Sequence, residues 1–119
     1  MEEKVTLQKE ALEELVRYSQ NLIPSITMMI DELREGRKED TEEFLNSIIA
    51  GINWEIEVFN YCADLINIEE NYIDKAAMGN AVRRLGQVLQ ENLDFKIADC
   101  FEFDFLPFLR KLEFIAAKV

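Results

Sequence analysis

Chemistry in a small chain needs nucleophiles, acids, bases or metal ligands brought close together, and this sequence supplies carboxylates in quantity and little else. Its 119 residues hold 24 Asp and Glu against 13 Lys and Arg, with no His, for a formal net charge of −11. Without imidazole, the Glu-x-x-His pairs of di-iron bundles, His-based triads and His-ligated zinc sites are all excluded. Cys62 and Cys100 stand too far apart in sequence to form a zinc knuckle, and no glycine-rich phosphate loop occurs. Both cysteines lie in apolar stretches and are expected as buried free thiols of a reducing compartment. The carboxylates do reach one catalytic spacing. Glu39 with Glu42, and Glu91 with Asp94, match the Glu-x-x-Glu and Glu-x-x-Asp pairs with which all-helical nucleotide pyrophosphatases hold magnesium. Yet Glu39 precedes its helix and Asp94 caps another, so neither pair sits on facing mid-helix turns. The reading is therefore of no enzyme, no catalytic residue, no metal and no cofactor, with a magnesium-dependent nucleotide pyrophosphohydrolase as the alternative.

Three acids fall where apolar neighbours crowd them. Glu55 lies within the apolar arc of Ile48, Ile52, Ile56 and Phe59, and a lone buried carboxylate there would titrate high. The expectation is that it reaches the edge of the arc or meets an arginine such as Arg83, and Asp99 and Asp104 invite the same reading. The Arg83-Arg84 pair is expected to meet carboxylates rather than a bound anion.

The elements that position these residues read as helices. Hydrophobic residues make up 49% of the chain, enough to fold, while only 4 Gly and 2 Pro interrupt it and no strand-like alternation occurs. Residues 5–35 carry Leu7, Ala11, Leu15, Tyr18, Leu22, Ile26, Met29 and Leu33 at helical spacing, with Pro24 predicted to kink the helix and Gly36 to end it. Asp40 with Glu43 reads as a capping box for a second helix, Thr41 to Ile66. A third helix covers residues 73–91, capped by Asn71 or Asp74. It carries Gly79 and Gly86 on one side, a place of close helix approach or a tolerated surface. Asp94 caps a fourth over residues 95–118, with Ile97, Phe101, Phe105, Phe108, Leu112 and Ile115 as its core stripe and Pro107 as a second kink. The short connections predict a single all-α domain over residues 1–119, a four-helix antiparallel bundle running up-down-up-down.

Two of these helices carry more apolar surface than one core face requires. Opposite its main stripe, the second helix places Trp54, Val58, Tyr61 and Leu65. The fourth places Cys100, Phe103, Pro107 and Phe114 together. The sequence-level function is therefore a non-enzymatic protein-interaction module, adaptor or chaperone-like, whose partner helix or second copy covers these eight residues. Scattered basic residues in an acidic chain disfavour nucleic acid and anionic lipid. No apolar run approaches a membrane span and the N-terminus has no signal-like apolar region, so no membrane partner and a cytoplasmic location are expected.

One stretch carries a family resemblance. In residues 89–109, LQENLDFKIADCFEFDFLPFL, the residues Asn92, Asp94, Phe95, Ala98, Asp99, Phe103, Asp104, Pro107 and Leu109 form a pattern of Asn-containing turn, Asp-aromatic, Ala-Asp, aromatic-acid and Pro. This resembles an uncharacterised family of small helical-bundle proteins of Gram-positive bacteria, with Phe-Asp in place of Tyr-Glu. The resemblance implies a helical fold and no activity. A looser similarity in size and acidity links the chain to flagellar export chaperones.

Overall fold

A computed structural model describes residues 2–68 and 73–119. It is all-α, with four helical rods: α1 (Glu2–Glu35), α2 (Thr41–Ile66), α3 (Lys75–Glu91), and a fourth made of α4 (Asp94–Asp99), a π-helical segment (Cys100–Phe105) and α5 (Leu106–Ala116). The centre of the assembly is α1, which packs against α2, α4, the π segment and α5, whereas α3 leans on α4 and the π segment. The pairs Gln8–Asp64, Ser19–Glu55 and Glu32–Thr41 run in opposite senses along α1 and α2, which are therefore antiparallel. Arg34 meets Asp99 at one end of the fourth rod while Leu12 and Val16 share a groove with Ala116 at the other, so α1 is antiparallel to that rod too.

The core draws on every helix. Leu15, Ile26, Met29, Phe59, Phe101, Phe105, Leu109 and Leu112 are wholly enclosed, each burial contributing about 1.5–3 kcal/mol. The predicted α1 stripe drifts: Leu7 and Tyr18 face outward, and Gln8 and Ser19 take interior places. Polar side chains can do so because partners await them. The Gln8 amide donates to the Tyr61 carbonyl and to Asp64 Oδ1, both at 2.9 Å. Pro24 stays inside an unbroken α1.

The connections correct two expected caps, Asp40 and Asp94; Asp94 is itself the first helical residue of the fourth rod, behind Leu93, and its side chain caps nothing. Asp40 adopts φ −99° and ψ 5° and its side chain caps nothing, because that backbone does not aim the carboxylate at the first amides. Thr41, fully enclosed, does the tying instead: its hydroxyl accepts from the Lys38 N–H at 2.7 Å and donates to Glu32 at 2.9 Å. Of the two candidates for α3, Asp74 is the cap and accepts from the Ala76 N–H at 3.0 Å, while Asn71 lies outside the described residues. Gly36 at φ 124° and Asn92 at φ 55° end α1 and α3 with the positive-φ turns expected of them. Gly79 and Gly86 have open space where a Cβ would stand, so they are surface positions; the close approach occurs at Gly51.

Candidate functional site

The eight residues singled out for partner binding separate into three groups. On the fourth rod, Phe103 and Phe114 are 65% and 62% exposed and flank the exposed Pro107. Lys118 lies 4.0 Å over the Phe114 ring. On α2, Tyr61 is 44% exposed, while Trp54 and Leu65 are half-buried. Val58 and Cys100 belong to the interior at 8% and 4% exposure, and no partner can reach them without unfolding the subunit.

Both corrections have a geometric cause. Val58 lies about 40° round the helix from Trp54, and the α2 core arc extends further that way than the Ile and Phe pattern indicates. It takes in Gly51, Val58 and Cys62. Cys100 is moved by the π segment. There the Leu106 N–H bonds to the Phe101 carbonyl, five residues back, so the turn holds one residue more than an α turn. Residues before it are rotated relative to those after it. Cys100 turns inward, with Sγ 3.9 Å from the Ala81 carbonyl, while Phe103 keeps the outward phase of Pro107 and Phe114. Pro107, at the start of α5, has no N–H to return to the preceding turn, which is consistent with the wider turn placed there.

Beside α2's outer face lies a shallow cleft of about 710 Å³ between α1 and α2, lined by Glu14, Arg17, Tyr18, Ser47, Gly51 and Trp54 among others. Tyr18 and Trp54 meet edge to face, ring centroids 5.3 Å apart. A Cβ at Gly51 would collide with the Tyr18 hydroxyl and come within 3.0 Å of Leu22 Cδ1, so the missing side chain is what lets Tyr18 settle there.

The titratable groups divide sharply. Arg84 grips Asp104 with two bonds of 2.8 Å, Arg34 holds Asp99 at 2.9 Å, and Arg37 holds Asp94. Glu55 meets no arginine, contrary to expectation, and does not reach the surface. It is 0% exposed, its one hydrogen-bond partner among the described residues is Ser19, and burial pushes its carboxyl up to about 7. Burial likewise pushes the Cys62 thiol up to about 11 and Cys100 to about 12, so both stay protonated near neutrality. Among the described residues no three His, Cys, Asp or Glu side chains gather as metal ligands. Of the carboxylate pairs with magnesium spacing, Glu91 is bound to Lys96 and Asp94 to Arg37.

Comparison with known families adds one result. A model described as "Domain of unknown function (DUF8042)" matches residues 10–114. The chain belongs to that family. No curated protein and no solved structure matches it. The DUF8042 match runs from α1 into α5 and includes the Phe103–Pro107–Phe114 stripe, the Tyr18–Trp54 cleft and Glu55. Among the described residues no helix is long and apolar enough to cross a membrane. Sequence reasoning passed over Ser19, Gln8 and Tyr18 as elements of a site, since a lone serine or glutamine on a helix carries no signal until its partner is known.

Proposed function

We propose that this DUF8042 chain is a non-enzymatic protein-interaction module of the cytoplasm, adaptor or chaperone-like, binding a partner helix or a second copy of itself. The contact surface is the fourth-rod stripe of Phe103, Pro107 and Phe114, with Trp54, Tyr61 and Leu65 on the outer face of α2 as a second contact. The observation that carries this reading is the exposure of Phe103 and Phe114 on a helix whose opposite side already fills the core. A phenyl ring buries roughly 150 Å² or more in an interface, and two rings on one helix face suit the spaced anchors of helix-in-groove recognition. The net charge of −11 resists pairing of two copies and favours encounter with a basic partner.

The test is Phe103→Ala combined with Phe114→Ala. The wild type is expected to show either twice its 13.9 kDa mass in light scattering or specific capture of a partner from its native cell extract. The double variant is expected to lose that association while keeping its helicity and denaturation midpoint. Association unchanged in the variant, or unfolding of the variant, overturns the reading.

A further inference from the structure

The seam between α1 and α2 encloses an acid without a cation. Ser19 Oγ lies 3.1 and 2.9 Å from the two carboxyl oxygens of Glu55, and none of the ion pairs among the described residues includes Glu55. A serine hydroxyl has one proton to give and can accept another. One serine proton shared between both oxygens makes a weaker three-centre bond, whereas both contacts become full hydrogen bonds when the carboxyl carries its own proton. One oxygen then donates to Ser19 Oγ while the Ser19 hydroxyl donates to the other. The groups that act on Glu55 are Ser19 from α1 and Glu113 from α5, the latter a further negative charge. An ionised Glu55 would keep one shared hydrogen bond and face a like charge while shut off from bulk solvent, which is costly in a core.

We infer that Glu55 and Ser19 form a proton-operated latch: the neutral pair holds the α1–α2 seam shut, and loss of the Glu55 proton to solvent opens it locally to water. Burial sets the carboxyl to about 7, so the latch works near neutrality rather than in acid. The direction follows from linkage. The folded state keeps this proton at a pH where the unfolded chain, at the ordinary value of 4.5, has lost it. The latch therefore contributes fully below that value and loses its contribution as pH rises through about 7. Opening has a route to the surface. Tyr18 and Trp54, the chain neighbours of Ser19 and Glu55, form the aromatic pair at the cleft on this same seam.

The chain's single tryptophan makes the test direct. Trp54 emission and its quenching by acrylamide are followed from about pH 5 to about pH 9 in the wild type and in Glu55→Gln, a range that brackets the folded-state transition. The wild type should pass through a transition near neutrality, with redder emission and stronger quenching on the alkaline side. Glu55→Gln should hold the low-pH signal throughout. Identical titrations in the two proteins would overturn the latch. Carbon-13 NMR of the wild-type glutamate carboxyls decides the matter even if the variant fails to fold. One carboxyl titrating near neutrality supports the latch, and a full set titrating in the ordinary carboxylate range ends it.

Discussion

The second helix and the fourth rod each present an apolar face beyond the one their packing needs, and the structure treats the two differently. On α2 the extra face is partly absorbed. Tyr18 leans across Gly51 onto Trp54, and Val58 is drawn inside, leaving Tyr61 as the exposed ring. On the fourth rod the π segment turns Cys100 inward yet leaves Phe103 and Phe114 largely exposed, with Lys118 over the Phe114 ring. The difference follows from neighbours. α2 lies along α1, the longest helix, which can spare an outward tyrosine to shield it. The fourth rod gives its inner side to α1 and α2, whose Phe59 meets Phe108, and a flank to α3, and among the described residues no further helix is left for the side that carries Phe103 and Phe114. A surplus apolar face thus becomes a binding candidate when the fold has no element left to cover it.

The sharpest way to break that comparison is to place the same charge on each face. Val58→Asp buries a carboxylate without a partner and is expected to cost about 3 kcal/mol or more. Phe103→Asp puts the carboxylate in water and should change stability by about 0.5 kcal/mol or less. Urea denaturation of both variants measures the gap. Equal losses would mean that the two faces are packed alike.

The sequence makes the helices and their number legible because periodicity over 17 to 34 residues leaves little choice of element. It makes Phe103, Pro107 and Phe114 legible as one face because the steps between them, four and then seven residues, are close to whole helical turns. Cys100 departs from that face because a fixed 100° step cannot register the extra residue of a π turn. Val58 shows a different limit. A helix's core arc is set by where its neighbours sit, and periodicity alone does not say how far round they reach. Glu55 is the extreme case. Its position inside the apolar arc was visible, but an arginine partner is the general remedy for such an acid, and only the register of α1 against α2 reveals that a serine fills the role.

A smaller effect tests the shielding of α2. Gly51→Ala should gain up to about 1 kcal/mol of helix propensity and lose part or all of it by pushing on the Tyr18 hydroxyl. In a Tyr18→Phe background the obstructing oxygen is gone, so the same substitution should be more favourable than in the wild type. Thermal melts of the four proteins give the coupling. Simple additivity would show that Tyr18 yields freely and does not hold Trp54 in place.

The smallest expected effect concerns a contact over the exposed stripe. Lys118 sits over Phe114 as a cation on a ring face at an exposed site, where such a contact contributes only about 0.5 kcal/mol. Lys118→Ala should therefore leave the melting temperature nearly unchanged, and in the wild type the lysine ε-methylene protons should show an upfield ring-current shift by NMR. Because the lysine lies over Phe114, its removal should also strengthen association through the stripe, or leave it unaltered if the partner displaces the side chain. Weaker association would instead make Lys118 part of the recognised surface. It would shift the preferred partner from basic to acidic, since the charge next to the exposed ring would then be read directly.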